Sequence, residues 1–394
     1  MKNIAVYLVG RADNGGSYQY WRAILRALSQ LDNREYTVKI YSPYSDWGVI
    51  AGSLQMSFEV VNPHLNFLQK ICIYIFPRFL PKAFIKKLSK MYNPFVRKMK
   101  KNKPDLWIGQ TTEIGEEILG VPTIVPIFDL MHRYRKDIKE VSERYIEREK
   151  LYTYLCHHAA MLLVDSEVGK QHVIESYGNL IDNLPDKIRV LPFIPPDYIY
   201  EKKSKTCEEA KDFPQYFFYP AQFWTHKNHI KLLKAVKLLK EKGIAVNFIF
   251  VGSEQNNEKT ISSLIVEYGL VKQIKILGYV SNEEMVYLYK NARALVMPTL
   301  FGPTNIPQLE AFELGCPVAT SRIYAIPEQV GDAALLFDPE SVEEIASSME
   351  QLWTDNELCR RLAEKGKERS ALWGQEQFSR RLLQYIEDYF RKDG

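Results

Sequence analysis

Cysteine is scarce and unpaired in this sequence. Its five cysteines (Cys72, Cys156, Cys207, Cys316 and Cys359) are scattered with no paired spacing. That excludes a disulfide framework or a cysteine-based zinc module and points to a reducing cytoplasm. No apolar run approaches the ~18 residues that a spanning helix needs. The apolar start at 4–9 is too short for a usual signal peptide, has no small-residue cleavage site after it, and reads as a buried strand. A dinucleotide fingerprint is also missing, because Gly10, Gly15 and Gly16 do not make Gly-x-Gly-x-x-Gly.

What is present suits a folded chain. Hydrophobic residues make up 46% and charged residues 25%, enough for two or three domains of roughly 150 residues each. The net charge of +4 hides an asymmetry: between Val60 and Pro104 stand eleven Lys or Arg and no Asp or Glu. Aromatics are interleaved with them, among them Phe76, Phe79, Phe84 and Phe95. A basic, aromatic-rich, partly helical segment suits an anionic membrane surface or a lipid-linked substrate, each Lys or Arg contributing about 1 kcal/mol near the leaflet. A solvated helix pair is the plain alternative. Nucleic acid is a third, unsupported by any zinc-finger or RNA-binding signature.

Short apolar, β-branched runs alternate with longer helical patterns. Strands are expected at 4–9, 37–42, 105–110, 123–128, 161–165 and 188–193, then at 216–219, 246–252, 274–280, 294–298, 317–321 and 334–337. Such alternation reads as βαβ units around parallel sheets, and two series in succession as two doubly wound α/β domains. The prolines at 192, 195, 196 and 214, with the polar run 201–205, mark a linker. The expected organisation is a first domain over 1–195, a linker over 196–213, a second domain over 214–374 and an amphipathic helix over 375–394 packing back on the first.

Chemistry concentrates in two stretches. In the first, a strand ends at Pro298 and a loop runs through Gly302, Thr304 and Asn305 into a helix closed by Gly315. Asn305 is a candidate cap, Pro307 suits the first turn, and Gly315 suits a left-handed close. A helix N-terminus at the carboxyl end of a parallel strand is an anion site. Glu310, one turn in, can accept hydrogen bonds from a vicinal diol such as a ribose; an exposed glutamate in an ordinary strand–loop–helix is the alternative. The second stretch, Gln222 to His229, follows the first strand of the second domain. Lys227 there can neutralise a diphosphate as a point charge, or it and its two histidines are plain polar loop residues.

Together the two stretches resemble the second domain of the retaining glycosyltransferases of family 4, with the GT-B fold. The likeness extends to Leu277-Gly278-Tyr279-Val280 and to 326–334. It implies two Rossmann-like domains facing a cleft, with a nucleotide-sugar donor held by the second. On that resemblance Lys227 contacts the donor diphosphate and Glu310 holds the ribose. Tyr279 and Val280 line the base, and Thr304, Asn305 and Ile306 present backbone N–H groups to phosphate and sugar. Two positions depart from the family: Gln222 stands where an Arg is usual, and Gly302 where a first Glu is usual. Both departures resemble a bacterial surface-polysaccharide subgroup with Phe-Gly-Pro-Thr-Asn-Ile-Pro in this loop.

In the first domain, Gly15, Gly16 and Ser17 follow the first strand, and in the family this loop meets donor phosphates and acceptor. The stretch Phe128–Arg133 resembles the same subgroup, and Asp129 and His132 are the candidates to orient or deprotonate an acceptor hydroxyl; a structural hydrogen bond is the alternative for His132. No Asp-x-Asp occurs, so no metal and no cofactor is expected, and Lys227 with the helix dipole has to stabilise the leaving diphosphate. The expected protein is a metal-independent transferase at the inner membrane face, acting on a lipid-linked O-antigen, capsule or similar glycan with a GDP- or UDP-sugar. An epimerase or phosphorylase of the same fold is one competing expectation. A non-catalytic glycan- or membrane-binding protein, suggested by Gly302 and Gln222, is another.

Overall fold

The computed structural model describes residues 1–11, 15–61, 94–101, 103–109, 119–253 and 257–392. Two wholly parallel sheets organise the chain. The first contains β1 (Lys2–Tyr7), β2 (Tyr36–Ser42), β3 (Ser57–Val60), β4 (Leu106–Gly109), β5 (Thr123–Pro126), β6 (Met161–Val164) and β7 (Ile188–Val190). The second contains β8 (Phe217–Pro220), β9 (Phe248–Val251), β10 (Ile274–Ile276), β11 (Ala294–Met297), β12 (Val318–Ser321) and β13 (Leu335–Phe337). Their spatial orders are β3-β2-β1-β4-β5-β6-β7 and β10-β9-β8-β11-β12-β13. Every paired neighbour is parallel.

Helices cover both faces of such sheets, so the central strands carry unbroken apolar runs. Leu106–Gly109, Met161–Val164, Phe248–Val251 and Ala294–Met297 are buried at every position. In each sheet the strand order reverses between the first strand and its later neighbour, β1 beside β4 and β8 beside β11. The crevice at the carboxyl ends of strands at such a reversal is where open α/β sheets bind ligands. Both stretches singled out in the second domain, and the glycines after β1, follow strands at these two points.

All twelve expected strands are present, with ends shifted by at most four residues. The run expected over 274–280 stops at Ile276, because Gly278 turns the chain with φ +65°. The additional strand, β3, is an edge strand with no buried position, and its sequence carries no apolar run to announce it. The segment 196–213 is less of a linker than its prolines suggest. Residues 201–206 are exposed, but Ile199, Cys207 and Ala210 enter the second core. Asp197 accepts hydrogen bonds from Arg22 and Arg26 of the first domain at 2.8 and 2.6 Å.

The helix Asn356–Leu372 packs Leu358, Cys359 and Leu362 into the second core. At Trp373, whose Nε1 donates to the Pro192 carbonyl at 3.2 Å, the chain crosses back. The helix Gln375–Lys392 then buries Phe378, Leu382, Ile386 and Phe390 beside Trp21 and Leu28 in the first core. Each fully buried side chain of this size stabilises by about 1.5–3 kcal/mol. Most of the basic segment, 62–93, lies outside the described residues. Its end forms the helix Pro94–Lys101, which buries Phe95, Val96 and Met99 and turns Arg97, Lys98, Lys100 and Lys101 outward. No helix among the described residues is long and apolar enough to cross a membrane.

Candidate functional site

The loop after β8 is fastened from several sides. Gly252 lies so close that a Cβ there would sit 2.4 Å from the Ala221 carbonyl oxygen, so only glycine fits. Gly252 N–H also donates to the Gly278 carbonyl at 3.0 Å, which ties the ends of β8, β9 and β10 together. Gln222 is exposed, its amide oxygen accepting from Trp224 Nε1 at 2.9 Å. Tyr279 is 90% exposed and Val280 half-buried on the neighbouring rim. A single 3-10 turn, Thr225–Lys227, follows. Buried Asn228 donates through Nδ2 to the carbonyls of Pro298 (3.0 Å) and Pro339 (2.8 Å). That staples the lysine loop to the loop after β11.

Lys227 is half-buried, and among the described residues no carboxylate pairs with its ammonium. Burial draws its pKa down to about 8, while the Glu140 charge holds it up. Tyr219 hydroxyl donates to its carbonyl at 2.9 Å. His229 behind it is buried, with neither ring nitrogen finding a hydrogen-bond partner among the described residues. Burial, then the charges of Lys227 and His226, push its pKa to about 3, so it is neutral. His226 stacks on Phe301, with centroids 4.1 Å apart and planes at 13°. Its Nδ1 donates to Glu140 Oε2 at 2.7 Å, and Thr225 N–H donates to Glu140 Oε1 at 2.6 Å.

The helix Ile306–Leu314 begins at an extended Asn305 and ends at Gly315 with φ +72°. The Asn305 side chain does not cap it; Nδ2 donates to the Phe301 carbonyl at 3.2 Å instead. Glu310 is buried, accepting from Tyr289 at 2.6 Å and Tyr198 at 3.3 Å. Burial raises its pKa and the two hydroxyls oppose the rise.

Two of the three N–H groups expected to meet phosphate are otherwise engaged. Thr304 N–H and hydroxyl both donate to Asp165 Oδ2 of the first domain, the N–H at 2.9 Å. Asn305 N–H donates to Gln329 Oε1 at 3.0 Å, and Gln329 Nε2 returns to the Asn305 carbonyl at 2.6 Å. Ile306 alone of the three has no side-chain acceptor among the described residues. The structure brings it to the first-domain glycines: a Cβ on Gly16 would lie 3.5 Å from Ile306 Cδ1. Gly15 beside it has φ +48°, and Ser17 lies in the same first turn. Gly302 is explained by packing, since a Cβ there would meet Tyr324 at 3.0 Å.

On the first-domain wall His132 takes the structural alternative. Its side chain has no exposure, its Nε2 donates to Glu149 at 2.7 Å, and burial lowers its pKa. Glu149 also accepts from Arg133 and Tyr177. A histidine closed inside this network cannot touch an acceptor hydroxyl, so its role is to hold the wall. Asp129 is partly exposed, accepting from Arg148 at 2.7 Å and Met131 N–H at 2.9 Å. Its charge reaches His226 across the cleft.

Asp165 belongs to this arrangement although no local sequence pattern marks it, its partner Thr304 standing 139 positions away. The residue is buried at the end of β6 and accepts from Ser166 as well as Thr304. Burial raises its pKa to about 6. Glu328 of the second domain accepts from Glu167 and Val168 N–H at the start of the helix Glu167–Tyr177. Among the described residues no group of three or more His, Cys, Asp or Glu is placed to hold a metal.

Comparison with known proteins bears on this arrangement. Residues 183–369, from the last strand of the first sheet through the second sheet, match the family glycosyl transferases group 1. The O-antigen chain mannosyltransferase B of Escherichia coli is 33% identical over 142 residues, 36% of this chain and 37% of that protein. The chain thus spans little more than a third of that relative's length. The O-antigen chain mannosyltransferase RfbU of Salmonella typhimurium is 26% identical over 58% of this chain and 60% of its own. Among solved structures, Anabaena HepE in complex with UDP-glucose superposes with a TM-score of 0.71 at 13% identity, covering 98% of this chain and 99% of its own. The sucrose-phosphate synthase of Thermosynechococcus elongatus gives 0.75 at 16% identity, with both chains covered in full. The fold is GT-B, and the second-domain match and the mannosyltransferase relatives together support a glycosyltransferase.

Proposed function

We propose that the protein is a retaining, metal-independent glycosyltransferase of family 4. It transfers a sugar from a GDP- or UDP-sugar to a hydroxyl of a lipid-linked surface polysaccharide. The observation that carries this reading is Lys227, a lysine without a carboxylate partner among the described residues, at the carboxyl end of β8 and stapled through Asn228 to the loop that opens the helix Ile306–Leu314. In this mechanism the ammonium and the Ile306 N–H stabilise the departing diphosphate, and the acceptor enters on the face it leaves. Catalysis is then mostly positioning and preorganised charge. Asp129 remains the candidate to orient the acceptor hydroxyl. The names of the relatives favour a mannosyl donor. The basic segment, with Lys100 and Lys101 outward on its final helix, suits a peripheral position on the inner face of the cytoplasmic membrane.

A thermal-shift panel of UDP, GDP, ADP and their common sugars, with and without Mg²⁺, tests the reading. A ligand bound only by the native state raises the midpoint by mass action. One nucleotide series is expected to raise it equally with and without the metal. No shift with any nucleotide, or a shift that requires Mg²⁺, would contradict the proposal.

A further inference from the structure

We infer that Glu140 is a positioning residue: from the first domain it clamps the turn that carries Lys227 and so couples presentation of the ammonium to the meeting of the two domains. This rests on the reading of Lys227 as the diphosphate ligand. The contact is two-pronged. Oε1 accepts the Thr225 N–H at 2.6 Å, and Oε2 accepts from His226 Nδ1 at 2.7 Å. Both side chains are largely withdrawn from solvent, His226 at 16% exposure and Glu140 at 11%. Thr225 and His226 are the first two residues of the turn, and Lys227 is the third.

Glu140 is itself held on the second domain by its neighbours. Met131, Ile138 and Val141 form one apolar cluster with Leu300, Phe301 and Tyr324. Arg135 pairs with Glu340 at 3.2 Å. The segment 131–142 is therefore a hook of the first domain seated beside the lysine loop. When the domains part, Glu140 withdraws, and Thr225 N–H and His226 lose the acceptor that fixes them. A plain interdomain tie could land anywhere along the cleft. This one lands on the two residues that immediately precede the catalytic cation.

The Glu140 charge has a second effect. The groups around Lys227 are Glu140 from the first domain and His226 and His229 from its own, with Asp129 acting on His226. Glu140 opposes the burial that deprotonates the ammonium. The clamp thus sets the position of Lys227 and helps keep it charged.

Two variants separate these effects. Glu140→Gln keeps an acceptor for Thr225 and a polar partner for His226 but removes the charge, and Glu140→Ala removes both. The ligand-free titration of Lys227, followed by carbon-13 lysine spectra assigned with Lys227→Ala, should have its midpoint near 8 in the parent chain and clearly lower in both variants. Calorimetry with GDP and UDP should show at least a tenfold loss of affinity in Glu140→Ala. In Glu140→Gln the loss should be several-fold at alkaline pH and small under acidic conditions, where the lysine is charged regardless. In a Lys227→Ala background Glu140→Ala should cost less than twofold, because the residue acts through that lysine. An unmoved lysine midpoint in folded Glu140→Gln, or an equal loss in both backgrounds, overturns the inference. If the parent chain binds neither nucleotide, the functional reading fails, while the lysine titration still decides the role of Glu140.

Discussion

The two walls of the cleft carry their polar groups differently. On the second-domain wall the Lys227 ammonium has no carboxylate partner among the described residues, and its loop is pinned by Asn228 and Tyr219. On the first-domain wall the conspicuous groups are consumed at home, His132 by Glu149 and Asp129 by Arg148. To the two loops of the candidate site the first domain extends acceptors, Glu140 to Thr225 and His226 and Asp165 to Thr304, while Arg135 and the N–H groups of Glu167 and Val168 donate to Glu340 and Glu328. The comparison separates a wall that presents an ammonium without a carboxylate partner among the described residues from a wall whose acceptors hold the first one's loops in place.

Lys227→Ala attacks the contrast most directly. It should lower turnover by roughly a hundredfold to a thousandfold, the usual cost of losing one preorganised charge-stabilising group, while the melting midpoint stays near that of the parent. Near-parental turnover would remove the lysine from the mechanism. Next in size is Asp165→Asn. The Asp165 pKa, raised to about 6 in the folded chain, means the folded state holds the proton longer than the unfolded one. Its contribution to stability is therefore greatest under acid and is lost as pH rises through about 6. The whole effect is on the order of 3 kcal/mol. Calorimetric unfolding of Asp165→Asn between pH 4 and 7 should lack that slope, and an unchanged slope would assign it elsewhere.

Gly302→Glu places a carboxylate in the loop and forces its Cβ onto Tyr324. It should destabilise by about 1–3 kcal/mol, as overpacking does, and Tyr324→Ala should recover part of the loss in a thermal scan. His132→Gln should have the smallest catalytic effect. With the side chain sealed inside, kcat for the folded fraction should change by less than about threefold while the melting midpoint falls. A large fall in kcat with stability intact would return His132 to the reaction.

The two parallel-sheet domains were legible because strands buried on both faces must be written as apolar runs, and twelve of them were; the GT-B arrangement was implied by the family resemblance. The strand missed, Ser57–Val60, lies at an edge where half-exposed residues suffice. The second-domain site was legible for a related reason: its groups follow one another along the chain, strand to loop to helix. The partners of those groups were not. Glu140 lies 85 positions from Thr225, and Asp165 lies 139 from Thr304. No local pattern marks a carboxylate that will be used so far away. The engaged N–H groups of Thr304 and Asn305 were hidden for the same reason.

The helix Gln375–Lys392 has a consequence for how the protein is made. It completes the core of the domain formed by the first 195 or so residues, burying Phe378, Leu382 and Ile386 there. During synthesis that first sheet leaves the ribosome early with one face still lacking its final cover. The second domain, whose core runs from Ile199 to Leu362, has all its parts in hand sooner. Domains emerging from the ribosome usually close in the order they are translated. Here the later domain can finish first, and the earlier one has to keep its bare apolar face from aggregating until the helix Gln375–Lys392 arrives.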